Sequence, residues 1–396
     1  MDHEDLKESA MAVRQKPVEG QIVVITGASS GIGLATAHLF AERGVKGLVL
    51  VARNEDALRK IADELSHGRT RAIAVTADVS KREDLERVSR TAIETFGGFD
   101  TWVNDAAVAI YGNLTDIPME DQRQLFDVNY WGVVNGSMIA ADHLRRRGGT
   151  IINVGSVLSE RAMILQTQYS AAKHAVKAFT DGLRMELANQ DAPISVTLIK
   201  PSSIDTPYVE HARNYLDRGN AVPPPSYDPH LVAKAIVHAA EHQRREITIG
   251  FGGWVIGAMG KVAPHLIDKA MEWTGYASQT TDQPERPGMR DNLYRARQDG
   301  DMYSSLPGEP RQTSLLLEAQ LHPFATAAVL ATVAAGIAAL FLPPLAGSRR
   351  PKRSKRPTPR YQPTMRRTGN GHDKRTFGPG HISQRGPGEG RPQPRH

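Results

Sequence analysis

Near its N-terminus the chain carries the run Gln21-Ile22-Val23-Val24-Ile25-Thr26, followed at once by Gly27-Ala28-Ser29-Ser30-Gly31-Ile32-Gly33. The first six residues are apolar and rich in β-branched side chains, which is typical of a buried parallel strand. Residues 34–44 have apolar side chains at helical spacing and end in a glycine, so they predict a helix. A glycine-rich turn in this position can cradle phosphate, because the backbone can approach closely and the helix N-terminus offers free N–H groups. The Gly-x3-Gly-x-Gly spacing therefore predicts a dinucleotide site rather than a plain turn.

Strand-like apolar runs recur along the chain, and segments with helical spacing separate them. The further runs lie at 47–52, 71–77, 99–103, 149–156 and 194–201. Strands that alternate with helices predict a parallel sheet with right-handed crossovers. We therefore predict an α/β fold with a Rossmann-type, doubly wound parallel sheet.

Tyr169 and Lys173 lie four residues apart, so on a helix they share one face. The ammonium group of Lys173 favours the phenolate and lowers the pKa of Tyr169 from its ordinary value of about 10. The pair thus resembles an acid/base device, with Ser156 upstream at the end of a strand. Tyr-x-x-x-Lys is common on ordinary helices, so the interpretation depends on the cofactor site that precedes it.

The strand at 47–52 ends at Arg53, where dinucleotide folds face the adenosine ribose. An acidic residue there would accept the 2′-hydroxyl of NAD, whereas an arginine pairs with the 2′-phosphate of NADP. The alternative is a solvated arginine at the start of a loop. Ser30 rather than a basic residue precedes Gly31, so Arg53 carries the prediction nearly alone. We predict that NADP(H) is preferred over NAD(H).

Together these motifs resemble the short-chain dehydrogenase/reductase family over about residues 21–276. The matching elements are the cofactor motif Thr26 to Gly33, the adenine-contacting pair Asp78-Val79, the Asn-Asn-Ala-Gly element at 104–107, the tetrad Asn129, Ser156, Tyr169 and Lys173, and Lys200-Pro201 followed by Thr206. Departures from the family pattern are Asp105, Ala107 and Ser202. Asp105 places a negative charge beside the cradle, and Ser202 restricts a backbone position that glycine would leave free.

The resemblance implies transfer of a hydride between a nicotinamide and a carbonyl or alcohol substrate. Tyr169 would act as general acid or base, and Ser156 would donate a hydrogen bond to the developing oxyanion. Lys173 would bind the nicotinamide ribose, and Asn129 would hold a water that links Lys173 to solvent. The predicted cofactor-binding residues are Gly27, Ser29, Ser30, Gly31, Ile32, Gly33, Arg53, Asp78, Val79, Asn104, Ala106, Tyr169, Lys173, Pro201 and Thr206.

Composition limits the remaining possibilities. The chain has no cysteine among its 396 residues, which excludes disulfides and thiolate chemistry. Its histidines are scattered along the chain, so no metal site is predicted. The net charge of +6 is uneven, because residues 347–396 hold 14 Lys or Arg residues against two acidic ones and the remainder is mildly acidic. We therefore do not expect nucleic acid as a partner.

An uncharged apolar run extends from Phe324 to Leu342, just long enough to span a bilayer. The alternative is a buried or surface-docked helix. The basic cluster at 349–356 would remain cytoplasmic, as would the enzyme, so one spanning helix leaves a conflict. The helix could instead lie in the membrane interface, with the basic tail on anionic headgroups. We expect a membrane-associated protein with its catalytic domain in the cytoplasm.

The predicted organisation is an N-terminal extension (1–20), one catalytic domain (21–276) with a substrate lid at about 203–275, a linker (277–322), a membrane helix (323–345) and a disordered basic tail (346–396). The apolar run Phe251 to Met259 would either line a cleft for an apolar substrate or belong to the core or a subunit interface. A homo-oligomer is expected. The alternative function is a catalytically idle NADP-binding scaffold at a membrane.

Overall fold

The architecture is a seven-stranded parallel sheet covered by helices on both faces, seen in a computed structural model of the chain. The structure describes residues 15–282, 291–297 and 299–341. The strands of the main sheet are β1 (Ile22–Thr26), β2 (Gly47–Ala52), β3 (Arg71–Thr76), β4 (Thr101–Asn104), β6 (Gly149–Val154), β7 (Ile194–Pro201) and β9 (Glu246–Ile249). A separate two-stranded sheet pairs β5 (Ile110–Tyr111) with β8 (Arg213–Asn214). The predicted α/β, doubly wound parallel sheet is thus confirmed.

Helices follow most of the strands. They are α1 (Gly31–Glu42), α2 (Glu55–Leu65), α3 (Arg82–Phe96), α4 (Met119–Phe126), α5 (Gly132–Leu144), α6 (Thr167–Asn189), α7 (Tyr208–His211), α8 (Pro229–Glu241), α9 (Phe251–Val262), α10 (Pro264–Thr274), α11 (Leu315–Leu321) and α12 (Pro323–Phe341). A π-helical turn, Asp127–Trp131, joins α4 to α5. Short 3-10 turns lie at Val18–Gly20, Leu114–Asp116 and Val157–Ser159.

The strand order is β3-β2-β1-β4-β6-β7-β9, so the chain reverses its direction of winding between β1 and β4. Thr26 at the end of β1 is in register with Val51 of β2 and with Asn104 of β4. The carboxyl ends of the central strands therefore meet at one edge, beside the reversal point. Ligands of such sheets bind in the crevice at this edge.

Both faces of the sheet are buried, which explains why its strands read as continuous apolar runs. Val23 and Ile25 of β1 pack in the core formed with α1 and α8, whereas Ile22 and Val24 pack on the other face with α3, α5 and α6. Trp102 of β4 is fully buried in that second core. The two cores hold the carboxyl edge of the sheet in place.

The C-terminal part of the described chain begins with α11, whose Leu317 and Leu321 are buried against the first core. No single helix among the described residues is long and apolar enough to cross a membrane, although α11 and residues 323–335 satisfy length and composition as a pair bent by 113°. Membrane association stays a prediction, and the predicted tail at 346–396 lies outside the described residues. The described residues up to 337 belong to one compact unit.

Candidate active site

The predicted phosphate cradle lies where β1 gives way to α1. Gly27 and Gly31 adopt positive φ angles of 75° and 53°, which favour glycine. Gly33 lets α1 approach the turn, because a Cβ atom there would lie 2.2 Å from the carbonyl oxygen of Gly27. Thr26 Oγ1 accepts hydrogen bonds from the backbone N–H groups of Asp105 and Ala106 at 3.1 and 3.2 Å. These bonds hold the loop after β4 against the cradle.

One large cleft opens beside this turn and brings the two predicted motif sets together. Of the predicted residues, its lining includes Gly27, Ser30, Gly31, Ile32, Ala106, Ser156, Tyr169, Lys173, Pro201 and Thr206. A second cavity adjoins it at the carboxyl ends of β2 and β3, and its lining includes Ser29, Arg53, Asp78 and Val79. Asn104 lies deeper, where its side-chain amide donates to Ser137 and Asn153 and accepts from Trp102.

Three of the four tetrad residues meet inside the cleft. Ser156 follows β6, and its hydroxyl oxygen accepts the N–H of Leu158 at 3.0 Å, which fixes the turn that presents it. Tyr169 and Lys173 lie on one face of α6. Lys173 Nζ donates to the carbonyl oxygen of Val154 at 2.8 Å and lies 5.6 Å from the centre of the Tyr169 ring. The site thus has a hydroxyl, a phenol and an ammonium group in one cleft.

Asn129 occupies a different position. It lies in the π-helical turn and is fully buried, and its amide pairs with both backbone polar groups of Val108 at 2.8 Å. This pairing anchors the loop that leads from β4 into β5. A π-helical turn is a distortion often found at functional sites. The water that Asn129 would hold stays a prediction.

Burial dominates the ionisation of the site. It raises the pKa of Tyr169, while hydrogen bonds from Tyr208 and Ser156 favour the phenolate. The pKa of Tyr169 therefore lies above its ordinary value, contrary to the lowering expected from Lys173. Burial also lowers the pKa of Lys173 to about 8, although the nearby Asp105 acts in the opposite direction.

Asp105 is a half-buried acid beside the cradle. Burial raises its pKa to about 7, against the opposing effects of Lys173 and a hydrogen bond from the backbone of Gly33. The departure from the family pattern noted in the sequence therefore places a second titratable group beside Lys173. Its charge changes close to neutral pH.

Tyr208 is a site residue that the sequence motifs did not identify. Its ring packs edge-on against Tyr169 with centroids 5.6 Å apart, and its hydroxyl donates to Gln166 Oε1 at 2.9 Å. The Tyr208 hydroxyl also acts to lower the pKa of Tyr169. Tyr208 lies in the predicted lid region, two residues after Thr206, and no motif marks it. The only signal in the sequence that could have pointed to Tyr208 is its aromatic side chain two residues after Thr206.

The outer part of the cleft is apolar. Its lining there includes Tyr111, Leu158, Met163, Val222, Ile256 and Met271. Helix α9 approaches closely at Gly253, where a Cβ atom would lie 2.8 Å from Val157. The run Phe251 to Met259 therefore lines the cleft with one side, while Phe251 and Trp254 are exposed.

Comparisons with known proteins agree with this geometry. The family model described as short chain dehydrogenase matches residues 21–216. An uncharacterized oxidoreductase of Bacillus subtilis, YxnA, is 44% identical over 330 residues, which are 83% of this chain and 92% of that protein. The chain therefore belongs to the short-chain dehydrogenase/reductase family and is an oxidoreductase of that type.

Solved structures with the same fold include complexes with both nicotinamide cofactors. An alcohol dehydrogenase from Thermococcus sibiricus with 5-hydroxy-NADP is 28% identical, with a TM-score of 0.51, over 58% of this chain and 95% of its own. A Burkholderia cenocepacia short chain dehydrogenase with NADP has 25% identity and a TM-score of 0.55 over 65% and 99% of the two chains. A Burkholderia phymatum relative with NAD has 26% identity and a TM-score of 0.54 over 67% and 98%.

Proposed function

We propose that this chain is an NADP(H)-dependent oxidoreductase that reduces a carbonyl or oxidises an alcohol, with Tyr169 as general acid or base. The observation that carries the proposal is the shared cleft, in which Ser156, Tyr169 and Lys173 lie beside the glycine-rich turn. A dinucleotide on the turn would thus reach the three side chains that can bind and protonate a carbonyl oxygen. When bound, the cofactor supplies the hydride.

The side chains divide the work of carbonyl reduction. The hydroxyl group of Ser156 donates a hydrogen bond to the carbonyl oxygen and stabilises the negative charge that develops there. Tyr169 passes its phenolic proton to the same oxygen. Lys173 has three N–H donors, of which one is bonded to Val154, so two are available for ribose hydroxyls. Its positive charge favours the phenolate that remains on Tyr169.

Tyr208 is a positioning residue in this scheme. Its hydroxyl donates its single proton to Gln166 Oε1 in the structure, and it favours the phenolate of Tyr169 when that proton turns to the Tyr169 oxygen. Gln166 in turn donates to Gln279 at 2.6 Å, and Gln279 donates to the carbonyl oxygen of Ile164. The chain of amides connects the phenol pair to the loop that leads into α6.

The cofactor preference in the proposal rests on Arg53 at the end of β2. Its position beside Ser29 and Asp78 in the second cavity suits a 2′-phosphate. The related structures hold NADP in some cases and NAD in another, so the family alone is neutral on this point. The apolar outer cleft supports a substrate whose carbonyl bears apolar groups.

NADPH oxidation with a panel of apolar ketones and aldehydes tests the catalytic proposal. We expect Tyr169→Phe to lower the rate by roughly 10²–10⁴-fold, the usual contribution of a positioned acid, while NADPH binding is retained. The phenyl ring keeps the packing against Tyr208, so the comparison isolates the hydroxyl group. Equal rates for wild type and variant with every carbonyl would favour the idle NADP-binding scaffold instead.

Membrane attachment through α12 is a separate part of the proposal. It is supported by exposed apolar side chains on that helix, including Phe324, Val329 and Leu330. Fractionation of the full chain against one ending at His322 tests it, and equal partitioning of the two would contradict it. The catalytic proposal does not depend on the outcome.

A further inference from the structure

A segment predicted as linker lies on the cofactor cradle instead. We call its described residues, 291–297 and 299–301, the strap. Ser29 Oγ donates to the carboxylate of Asp299 at 2.7 Å, and the backbone N–H of Gly31 donates to the carbonyl oxygen of Asp301 at 3.0 Å. The N–H of Gly300 donates back to the carbonyl oxygen of Ser29 at 3.0 Å. Donors of the glycine-rich turn are therefore engaged by the chain itself.

The strap also engages the predicted 2′-phosphate ligand. The guanidinium group of Arg53 donates to the carbonyl oxygens of Asn292 and Leu293. Burial lowers the pKa of Arg53, and the carboxylates of Asp78, Asp299 and Asp291 act against that effect. Asp299 is thus part of the electrostatic surroundings of Arg53 as well as the acceptor of Ser29. The carboxylate of Asp299 and the carbonyl oxygens of Asn292 and Leu293 therefore occupy hydrogen-bond donors that a 2′-phosphate would use.

Anchors on both sides hold the strap in place. Leu293 is fully buried in the core that includes Trp102. Tyr294 donates to Asp121 at 2.7 Å, and Arg213 binds Asp291 at 3.0 Å. The contacts involve charged and apolar groups from several elements, so the strap docks as a defined segment rather than as a loose cover.

Among the described residues, one buried polar atom of the docked strap lacks a hydrogen-bond partner, which favours release of the strap. Asn292 faces both cavities, and within the described part of the chain its buried Oδ1 has no hydrogen-bond partner. A buried acceptor without a donor costs stability. Asp299 also lies close to the anion-binding turn, where a second negative charge from a phosphate would repel it.

We propose that the strap competes with the adenosine-ribose end of the cofactor, and that Asp299 determines how strongly the site discriminates against a 2′-phosphate. The proposal rests on the cofactor assignment above and adds a specificity determinant from outside the family motifs. A 2′-phosphate needs Arg53 and Ser29 and so must displace the strap from both. A nucleotide without that phosphate does not need Arg53, so it binds with less disturbance of the strap.

Two nucleotide fragments that differ only in the 2′-phosphate test this directly. Calorimetric titration of the full chain with 2′,5′-ADP and with 5′-AMP gives dissociation constants for wild type and for Asp299→Ala. Because a charge-assisted contact is lost and a repulsion removed, we expect Asp299→Ala to bind 2′,5′-ADP about tenfold more tightly. The affinity for 5′-AMP is expected to change by less than about threefold, since most of the gain belongs to the 2′-phosphate.

Asp56→Ala is the matched control. Asp56 is exposed on the first turn of α2, three residues after Arg53, and its replacement removes the same charge without touching the strap. An equal gain of 2′,5′-ADP affinity in Asp56→Ala and Asp299→Ala would show a general charge effect and overturn the proposal. Unchanged affinity in Asp299→Ala would overturn it as well.

Hydrogen exchange of the wild-type chain gives an independent measurement. Under the proposal, saturation with NADPH releases the strap, so exchange of the Gly300 amide becomes faster. Slower exchange would mean that the strap closes over the bound cofactor, which contradicts competition. If neither NADPH nor NADH binds to wild type or to Asp299→Ala, the cofactor assignment itself fails. That outcome differs from nucleotide binding that Asp299 does not influence.

Discussion

The phenol of Tyr169 is half-buried in the wall of the cleft, so its proton affinity depends strongly on the few groups around it. Burial favours the neutral form, and each hydrogen bond donated to the oxygen favours the phenolate. Ser156 can donate such a bond, as can Tyr208 when its proton turns away from Gln166, and Ser156 also has to serve the substrate. Tyr208 is therefore the neighbour whose contribution can be measured separately from substrate binding.

We expect Tyr208→Phe to lower kcat by about tenfold, because it removes one hydrogen bond to a charged oxygen. The pH at which Tyr169 loses its proton should rise, since the phenolate loses a donor. Profiles of kcat and kcat/KM against pH measure both effects. Tyr111→Phe is the control, because Tyr111 lines the same cleft but its hydroxyl donates only a long bond of 3.4 Å to Ala221. A loss of activity without any shift of the pH profile would indicate a packing role for Tyr208.

A second residue, Asp105, is expected to make the free energy of unfolding depend on pH. Its pKa is about 7 in the folded chain and near the ordinary 3.8 when unfolded, so the folded state binds more protons between these values. Stability must therefore fall as the pH rises from about 4 to about 7. We expect the free energy of unfolding of Asp105→Asn to lack this decrease, which is on the order of 1–4 kcal/mol. Urea unfolding of both proteins across this range measures it, and parallel pH dependences would contradict the assignment.

At the scale of secondary-structure elements, the junction of β1 and α1 could be predicted from the sequence because three local signals agree. A β-branched apolar run, a glycine turn and a helical pattern ending in Gly44 all indicate the same element boundaries. The two-residue strands β5 and β8 carry no such signal, since a pair of residues has no periodicity to detect. Their pairing joins segments about a hundred residues apart.

Gly33→Ala tests the junction itself. The new Cβ would lie 2.2 Å from the carbonyl oxygen of Gly27, so α1 or the turn must move. We expect a loss of stability of roughly 1–3 kcal/mol from overpacking, together with weaker nucleotide binding. Gly182→Ala in α6 is the control, because a Cβ there meets nothing within 4 Å. That substitution should stabilise the chain by up to about 1 kcal/mol, as alanine favours helices. Equal effects of the two substitutions on unfolding and binding would contradict this reading.

The position of the strap on the cofactor cradle could not be predicted from local sequence patterns. The strap is polar and turn-rich, which is typical of a linker, and it binds Arg53 through two backbone carbonyl oxygens. A backbone carbonyl has no signature in the sequence. The bond between Ser29 and Asp299 links positions 270 residues apart, and only the folded chain brings them together. The match to YxnA covers 83% of the chain, so it extends beyond residue 216 and includes the strap.

At the scale of the whole molecule, the class of fold and the meeting of two motif sets followed from sequence. Parallel strands present their carboxyl ends at one edge, and both motif sets lie at such ends. The depth of the site did not follow, because burial depends on packing between distant segments. The sequence therefore predicted that Lys173 sets the pKa of Tyr169, whereas burial has the largest effect on that pKa in the structure.

The central claim is that Tyr169 protonates a carbonyl while hydride passes from a nicotinamide held on the glycine-rich turn. Single-turnover reaction with NADPH that carries deuterium at both C4 positions tests it most directly, with mass analysis of the alcohol product. The account predicts an alcohol containing one deuterium from wild type, and almost none in the same time from Tyr169→Phe with NADPH still bound. An alcohol without deuterium, or equal product from both proteins, would contradict it.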